Sequence, residues 1–380
     1  MRANPLPPMA TLIHDCSKLG FGLMRLPKQG KSFDIPQCCR MVDAFLTAGG
    51  KYFDTAYVYG GSEEATRQAL CDRHPRESYY LASKLNASTW ACQTEDEAKA
   101  EIRHSLKRTN ADYFDFYMLH GIDESNVELY VKYGLWDYIK ELHAQHLIRH
   151  WGFSFHGSPK MLEELLTEHP DAEFVQLQVN YIDWEDPGVA SRECYEIATR
   201  HGKPVVVMEP VKGGLLANPP EAARNILTSA EPNASPASWA IRYAASLENV
   251  MIVLSGMSND EQMQDNLSYM NVKAFRPLSE TERKVLNHAM KAIKDLDTIP
   301  CTGCHYCTSG CPANIHIPEI FSVMNSYKRY GDLKRAKMDY GWRPGGAKAS
   351  ECLQCGQCED ACPQHLPIIQ YLQDIAKTLE

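Results

Sequence analysis

The sequence lacks any apolar run long enough to cross a lipid bilayer. A spanning helix needs about 20 consecutive apolar residues, whereas apolar runs such as 205–208 and 250–254 are the size of strands. Basic residues are not in excess either, because 39 Lys and Arg stand against 48 Asp and Glu, for a net charge of −9. Since this charge gives no overall attraction to nucleic acid or to an anionic membrane, we expect neither as a partner.

Neither a secretory signal nor a disulfide framework is indicated. Residues 1–16 have no basic flank followed by an apolar core, which a signal peptide requires. Eight of the 14 cysteines belong to the two motifs described below. The other six are scattered and show no framework spacing: Cys16, Cys38, Cys39, Cys71, Cys92 and Cys194. We interpret them as reduced thiols and expect a soluble protein of a reducing compartment, the cytoplasm.

One cysteine pattern occurs twice near the C-terminus. The first copy is Cys301, Cys304, Cys307 and Cys311 followed by Pro312, and the second is Cys352, Cys355, Cys358 and Cys362 followed by Pro363. Four thiolates at that spacing are the ligand set of a [4Fe–4S] cluster, and in paired runs the fourth cysteine ligates the other cluster. The pattern therefore predicts two clusters, one on Cys301, Cys304, Cys307 and Cys362, the other on Cys352, Cys355, Cys358 and Cys311.

Zinc sites and disulfides are the alternatives for such cysteine runs. A zinc site closes with four ligands and has no use for the third cysteine in each tight run. Disulfides suit small secreted scaffolds rather than a chain of 380 residues. Iron–sulfur clusters are therefore the preferred interpretation.

Short apolar runs alternate with amphipathic stretches of helical length between residues 18 and 275. We predict eight strands: Leu19–Leu23, Lys51–Asp54, Tyr79–Lys84, Tyr113–His120, Ile148–Ser154, Phe174–Asn180, Pro204–Met208 and Val250–Ser255. The predicted helices include Glu63–Asp72, Thr94–Lys107 and Asp260–Asn271, the last capped by Asn259. Strands and helices in alternation over about 250 residues favour an α/β fold, a (β/α)₈ TIM barrel. A doubly wound sheet is the alternative, but no glycine-rich turn follows the first strand to anchor a dinucleotide.

The pattern changes after residue 277. We predict a barrel domain over residues 1–277, then a small, mainly helical, ferredoxin-like domain over 278–380 that begins with a linking helix at Leu278–Leu296. Between the cysteine runs lies a basic stretch, with Lys328, Arg329, Lys334, Arg335, Lys337, Arg343 and Lys348. Such a run is usually a solvated helix face. The alternative is a docking face for an acidic, ferredoxin-type electron-transfer partner.

Polar residues close several of the predicted barrel strands, where the active site of a (β/α)₈ barrel lies. They are Asp54, with Tyr59 five residues on, then Lys84, His120, Ser154, Gln178 and Asn180. A lone aspartate after a strand is commonly a cap, and a lone histidine is usually structural. Together, at the ends of consecutive strands, they indicate a catalytic site.

Around these residues the chain resembles the aldo/keto reductase family. The resemblance rests on Gly20–Pro27, Phe53–Gly60, Lys84, Leu119–His120 and Ser255–Gln262 with Asn266, and it covers about residues 17–275. With the two cysteine runs, the chain is similar to a ferredoxin-fused subfamily of these reductases. The resemblance implies hydride transfer between a nicotinamide dinucleotide and a small carbonyl or alcohol substrate.

The resemblance makes Asp54, Tyr59, Lys84 and His120 the catalytic set. Tyr59 would protonate the developing alkoxide. An unperturbed tyrosine has a pKa near 10, so we expect Lys84 to lower the pKa of Tyr59 and Asp54 to hold Lys84 charged. His120 would orient the carbonyl.

The resemblance also implies a dinucleotide site across the barrel mouth. The expected contacts are Ser154, Gln178, Asn180, Gly213, Gly214, Ser255, Gly256, Ser258, Gln262 and Asn266. Phe155 stands where an asparagine is common in the family, Met208 where an aromatic residue often stacks on the nicotinamide, and Gln262 where an arginine often grips the 2′-phosphate. These departures weaken an assignment to NADP over NAD and leave a flavin as an alternative.

Three hypotheses of function follow. The first is a carbonyl reductase whose clusters exchange electrons with a partner. The second is an ordinary NAD(P)H-dependent carbonyl reductase whose clusters are structural or redox-sensing. The third is a non-catalytic electron-transfer subunit, against which the intact catalytic set argues. His156 is a candidate substrate contact, and Tyr181 and Trp184 are candidate pocket residues.

Overall fold

The computed structural model describes residues 17–380 with the exception of 272, 297, 302, 343 and 363. Cys16, Arg343 and Pro363 therefore lie outside the described residues. The chain divides into two compact units, the first made of residues up to 217 together with 233–283, the second of 218–232 together with 284–380. The predicted domain boundary between residues 277 and 278 stays a prediction.

Eight parallel strands of the first unit close into a barrel, which confirms the predicted fold. The strands are β1 (Leu19–Gly22), β4 (Tyr52–Asp54), β5 (Tyr80–Leu85), β6 (Phe114–Ile122), β7 (Ile148–Phe155), β8 (Phe174–Gln178), β9 (Val205–Met208) and β10 (Val250–Ser255). A separate antiparallel hairpin, β2 (Lys28–Gln29) and β3 (Ser32–Phe33), follows β1. Around the barrel the order is β1–β10–β9–β8–β7–β6–β5–β4, and β4 pairs with β1.

The barrel interior is filled by large apolar side chains. The ring of Phe116 lies 5.0 Å from that of Tyr52 and 5.5 Å from that of Phe174, centroid to centroid. These ring contacts make the interior a packed core rather than a pore. Burying each such side chain stabilises the fold by about 1.5–3 kcal/mol. Strands β7 and β8 approach closely at Gly152, where a Cβ atom would lie 2.2 Å from the carbonyl oxygen of Phe174. A side chain at residue 152 would therefore separate the two strands.

Helices alternate with the strands and pack their apolar faces against them. In the first unit they are α1 (Ile35–Thr47), α2 (Ser62–Thr66), α3 (Glu95–Thr109), α4 (Val127–Lys132), α5 (Leu135–Ala144), α6 (Pro159–Glu168), α7 (Ser191–Arg200), α9 (Pro236–Ala245) and α10 (Asp260–Met270). A π-helical turn, Arg67–Cys71, continues α2. The predicted cap of α10 is confirmed, because the Asn259 side chain accepts a hydrogen bond from the Gln262 amide at 2.8 Å.

The second unit is mainly helical, as predicted. Its helices are α8 (Glu221–Ala230), most of α11 (Glu280–Lys294), α12 (Tyr306–Ser309), α13 (Ile317–Tyr330), α14 (Leu333–Trp342), α15 (Gln357–Asp360) and α16 (Ile368–Leu379). Ile320, Phe321, Leu372 and Ile375 lie in its buried core. No helix in the described part of the chain is long and apolar enough to span a membrane.

Candidate active site and candidate cluster sites

The four predicted catalytic side chains meet at one rim of the barrel. Asp54 ends β4, Lys84 is the next-to-last residue of β5, His120 lies near the end of β6, and Tyr59 lies in the loop after β4. Parallel strands present their C-terminal ends on the same side of a barrel. The sheet register pairs Lys84 with Met118 and Asp54 with Ala82, so the strands themselves set the spacing of these groups.

Lys84 and Asp54 form a buried ion pair. The Lys84 ammonium donates to Asp54 Oδ1 at 2.5 Å and to the carbonyl oxygen of Thr55 at 2.7 Å, and the lysine is 0% exposed. Burial lowers the pKa of Lys84, but Asp54 and Tyr59 together outweigh burial, and the net pKa is raised. Lys84 is therefore a fixed cation at neutral pH, and Asp54 is what keeps it charged.

Tyr59 lies against this ion pair. The Lys84 ammonium is 4.9 Å from the Tyr59 ring centroid. Lys84 acts on the pKa of Tyr59 in the expected direction, lowering it. Burial is the larger effect and, with the negative charges of Asp54 and Glu209, leaves the net pKa above its usual value. Tyr59 is protonated at neutral pH, which is the form that can donate a proton.

His120 packs edge-on against Tyr59, with ring centroids 5.5 Å apart. Burial, together with the positive charge of Lys84, lowers the pKa of His120 well below its usual value. Its Nδ1 atom is buried and has no hydrogen-bond partner among the described residues. A neutral imidazole beside a protonated phenol can orient a carbonyl oxygen by hydrogen bonding without adding charge.

Three of the four catalytic side chains, Asp54, Tyr59 and His120, line a cavity of about 510 Å³, and Lys84 lies behind them. Volumes of this order suit a small molecule or part of a cofactor. The lining includes Asp54, Tyr59, His120, His156 and Met208. The candidate substrate contact His156 therefore lies in the same cavity as the catalytic set. Tyr181 and Trp184 instead pack against Tyr243 and are not among the lining residues.

Eight of the ten predicted cofactor contacts line the cavity: Ser154, Gly213, Gly214, Ser255, Gly256, Ser258, Gln262 and Asn266. Asn266 donates to Ser255 Oγ at 2.7 Å, and the Ser258 amide donates to Gln262 Oε1 at 2.7 Å. These residues surround the N-terminus of α10, which favours an anionic group such as a phosphate. Gly213 and Gly214 have φ angles of 66° and 101°, which residues other than glycine rarely adopt.

The other two predicted contacts, Gln178 and Asn180, are held by Asp183. Their side-chain amides donate to Asp183 Oδ2 at 2.8 and 2.6 Å, and Lys212 pairs with the same carboxylate. Gln176 lines the cavity in their place and donates to Asp54 Oδ2 at 3.3 Å. Gln176 was not singled out from the sequence. The alternation of side chains along a strand could have identified it, because residues 176 and 178 lie on the same face.

Arg25 is a second residue that the sequence reasoning missed. It follows β1, donates to the carbonyl oxygen of Gly213 at 3.0 Å and lies 3.7 Å from Glu209. All three residues line the cavity. Arg25 therefore joins the loop after β1 to the loop after β9, both beside the predicted cofactor contacts.

The eight motif cysteines of the second unit line two small cavities. Cys301, Cys304, Cys307 and Cys362 line the first, and Cys311, Cys352, Cys355 and Cys358 line the second. Each cavity thus combines three cysteines of one run with the fourth of the other, the grouping that the sequence predicted. Burial raises the pKa of Cys301, and the adjacent thiols Cys304 and Cys362 raise it further.

The two cysteine segments have the same backbone shape. Residues with positive φ recur at matched positions: Gly303 (68°) with Gln354 (54°), His305 (60°) with Gly356 (80°), and Asn314 (54°) with His365 (50°). A one-turn helix, α12 or α15, follows the second cysteine of each run, and a long helix, α13 or α16, follows the fourth. The segments are therefore a structural duplication.

The donor set fits an iron–sulfur cluster better than a single ion. Among the described residues, no three His, Cys, Asp or Glu side chains are placed to hold one metal ion. The thiols instead surround cavities with apolar walls that include Ile317 and Leu372. Backbone amides of Ile315 and Gln354 each donate to a cysteine sulfur at 3.4 Å, and such bonds are among the factors that set cluster potentials.

The family comparisons match both parts of the chain. Residues 18–284 match the aldo/keto reductase family and residues 300–366 match a 4Fe–4S dicluster domain. The chain is 26% identical over 310 residues to the uncharacterized oxidoreductase YqkF of Bacillus subtilis, covering 73% of this chain and 94% of that protein. It is 28% identical over 212 residues to the aldo-keto reductase str7 of Strobilurus tenacellus, covering 53% of this chain and 60% of that protein.

Solved structures give the same result for the barrel. The holo form of aldo-keto reductase AKR11C1 from Bacillus halodurans matches with a TM-score of 0.58 and 25% identity, over 72% of this chain and 92% of that one. An aldo-keto reductase from Klebsiella pneumoniae in complex with NADPH matches with a TM-score of 0.57 and 19% identity, over 72% and 90%. The second likeness concerns the fold alone. The family match spans well over half of the sequence, and the chain therefore belongs to the aldo/keto reductase family, as an oxidoreductase with a C-terminal 4Fe–4S dicluster domain.

Proposed function

We propose that the barrel transfers hydride between a nicotinamide dinucleotide and a small carbonyl or alcohol substrate. The observation that carries this proposal is the grouping of protonated Tyr59, the buried Lys84–Asp54 pair and neutral His120 around one cavity. A nicotinamide dinucleotide bound in the cavity would supply or accept the hydride. The chain's own residues would place the carbonyl and handle the proton.

Each catalytic side chain has a distinct part in reduction. His120 holds the carbonyl oxygen by a hydrogen bond, and Tyr59 gives its proton to that oxygen as negative charge develops there. Lys84 then stabilises the phenolate that Tyr59 becomes, and Asp54 keeps Lys84 charged at 2.5 Å. Because the pKa of Tyr59 is raised, reduction should persist through neutral pH and fall only in alkaline solution.

The cofactor assignment is supported by the cavity around the start of α10. Serine, glycine and amide groups near a helix N-terminus suit the phosphates of NADPH or NADH. The Klebsiella pneumoniae relative is a complex with NADPH, whereas Gln262 here offers no positive charge to a 2′-phosphate. Comparing activity with NADPH and NADH decides between the two. Release of a coloured flavin on denaturation would identify the alternative redox group.

We also propose that each four-cysteine cavity holds one [4Fe–4S] cluster and that the clusters exchange electrons with a ferredoxin-type partner. Cys301, Cys304, Cys307 and Cys362 would ligate one cluster, and Cys352, Cys355, Cys358 and Cys311 the other. The support is the four-thiol lining of both cavities and their duplicated backbone. The second candidate function, a reductase whose clusters are structural or redox-sensing, is favoured by the completeness of the barrel site without them.

Substituting Tyr59 by Phe tests the barrel chemistry. Loss of the proton donor should lower kcat for aldehyde reduction by about 10²–10⁴-fold. Tyr57→Phe is the matched control, because its ring lies in the same loop but stacks on His104 away from the cavity residues; it should retain activity within about twofold. If Tyr59→Phe is as active as Tyr57→Phe, the proposed mechanism is wrong.

Anaerobic metal analysis and NADPH titration test the cluster proposal. We expect about eight irons and eight sulfides per chain. Bleaching of the visible absorbance by NADPH would support electron exchange between the cofactor and the clusters. Full iron content without bleaching, with an aldehyde still reduced, would favour the structural or sensing alternative. Iron far below this content would contradict both.

A further inference from the structure

Exposed large apolar side chains concentrate in the second unit. Of the eight on the described surface, five belong to this smaller unit: Tyr306, Leu333, Met338, Trp342 and Leu353. Trp342 is 88% exposed. Scattered exposed apolar residues need no explanation, whereas a group of them indicates a binding surface.

Three of the five share one face of α14. Positions 333, 334, 337, 338, 341 and 342 are exposed and follow the spacing of a single helical stripe. We call this stripe the α14 face. It carries Leu333, Met338 and Trp342 beside Lys334 and Lys337, while Ala336 and Tyr340 on the opposite side are buried in the core of the unit. The helix is thus anchored by one side and presents an apolar, basic surface with the other.

The α14 face lies in a positively charged part of an acidic chain. Residues 326–348 contain seven Lys and Arg but two Asp, whereas the whole chain has a net charge of −9. Arg335 is paired with Asp339 at 2.9 Å, and Lys334 and Lys337 are exposed. A negatively charged partner is repelled by the chain as a whole and attracted here, which orients its approach.

Helix α14 also supports the segment that leads into the second cysteine cavity. The Ala349 amide donates to Tyr340 Oη at 2.7 Å, and the same hydroxyl donates to Glu380 at 2.6 Å. Ala349 begins the turn that runs directly into Cys352. Leu353, the next residue, is 67% exposed and lines that cavity. Cys355, another lining residue, is also exposed, so part of the cavity wall lies at the surface, close in sequence to the point where α14 is attached.

We propose that the α14 face is the docking surface for an acidic one-electron carrier protein that exchanges electrons with the cluster held by Cys311, Cys352, Cys355 and Cys358. The inference rests on the clusters proposed above. Trp342 and Met338 provide the apolar anchor, as aromatic residues and Met do in interfaces, and Lys334 and Lys337 steer the encounter. In each event the reduced carrier loses one electron and the cluster gains it, with no bond made or broken.

Anaerobic stopped-flow kinetics test this surface with a defined probe, a purified, acidic, plant-type [2Fe–2S] ferredoxin in its reduced form. The double variant Lys334→Glu/Lys337→Glu is compared with Lys132→Glu/Lys160→Glu, which reverses two exposed lysines of the first unit and changes the net charge equally. We expect the first pair to slow cluster reduction by about tenfold or more at low salt, with a smaller salt dependence. The control pair should stay within about threefold of the wild type. Trp342→Ala should weaken ferredoxin binding by about tenfold.

The outcomes are separable. Equal rates for the two double variants overturn the docking surface, as does a ferredoxin that fails to reduce wild-type clusters that dithionite reduces. If Trp342→Ala converts a dimer of this chain into a monomer in sedimentation, the face belongs to a second copy and the proposal is wrong. Absence of bound iron overturns the proposed function and this inference with it, whereas normal iron with unchanged rates overturns this inference alone.

Discussion

The barrel places its candidate catalytic groups on paired strands, whereas the second unit places its cysteines on loops. Asp54 and Lys84 belong to β4 and β5, and the register of the sheet fixes their separation. The cysteine loops contain the one-turn helices α12 and α15, and six residues with positive φ shape them. Backbone hydrogen bonds therefore hold the barrel site, whereas the proposed clusters would provide much of what holds the thiol sites together.

This difference has an energetic consequence. His305, Asn314, Gln354 and His365 have φ angles between 50° and 60°, and each such non-glycine residue costs about 1–2 kcal/mol. Bonds to the proposed clusters would offset that cost, because metal binding to a site absent from the unfolded chain contributes directly to folding. We therefore expect loss of the clusters to loosen the second unit and to leave the barrel chemistry intact.

The largest expected effect comes from a substitution in the barrel, which should lower activity and leave the second unit unchanged. Lys84→Met removes the cation beside Tyr59 and should lower kcat/KM for carbonyl reduction by at least about 10³-fold, with iron content unchanged. Because Asp54 would then be a buried, unpaired charge, which costs about 3–5 kcal/mol, the double variant Lys84→Met/Asp54→Asn keeps the test independent of folding. Lys18→Met, at a partly buried lysine bonded to the Ala245 carbonyl oxygen, is the control. Retention of activity by the double variant would contradict the assigned role of Lys84.

The converse test is a cysteine substitution in the second unit, which should remove iron and leave the barrel chemistry unchanged. Cys307→Ala should remove about half of the iron and lower the thermal transition of the second unit, while NADPH-dependent aldehyde reduction stays within about twofold. The control is Cys194→Ala, which removes a buried thiol from α7 of the barrel and should leave the iron content unchanged. If activity fell in proportion to iron content, the barrel chemistry would depend on the second unit and the prediction would be wrong.

A smaller effect concerns the stability of the barrel alone. Glu101 on α3 is buried, accepts a hydrogen bond from the Asn86 amide at 2.8 Å, and has its pKa raised by burial to about 8. Between about pH 4.5 and pH 8 the unfolded chain has lost this proton while the folded chain keeps it. The free energy of unfolding should therefore fall as pH rises from 5 to 8, by at most about 4 kcal/mol.

Urea unfolding at several pH values, followed by a spectroscopic signal of the barrel, measures how the free energy of unfolding changes with pH. Glu101→Gln keeps an acceptor for the Asn86 amide and should reduce this pH dependence. Glu95→Gln, at an exposed residue of the same helix paired with Lys99, should not. An equal slope in Glu101→Gln and the wild type would refute the assignment to Glu101.

The strands and the catalytic set were predictable because both obey local rules. Short apolar runs, helix caps and polar residues at strand ends are visible in the sequence, and the barrel topology then brings Asp54, Lys84 and His120 together. Cysteine spacing similarly anticipated the cross-pairing of the two runs, since that pairing is a property of the motif.

The missed features depend on tertiary packing. Whether Gln176 or Gln178 lines the cavity is decided by Asp183, which holds Gln178 at 2.8 Å. The net pKa of Tyr59 depends on how completely its phenol is buried, which the neighbouring charge of Lys84 does not reveal. Arg25 and Glu209 are far apart in sequence and meet because the barrel closes.

The contact between Arg25 and Glu209 gives the smallest expected effect. It tests whether the strands alone position the barrel site. Arg25 and Glu209 are 3.7 Å apart and about 40% and 36% exposed, a kind of pair that contributes about 0.2–1 kcal/mol. If they help to retain a cofactor beneath the two loops, Arg25→Ala should weaken NADPH binding by about two- to fivefold and leave kcat nearly unchanged. Arg40→Ala removes an exposed ion pair with Asp260 outside the cavity lining and serves as the control. A large loss of kcat in Arg25→Ala would mean that a loop contact, and not the strand register alone, positions the reacting groups.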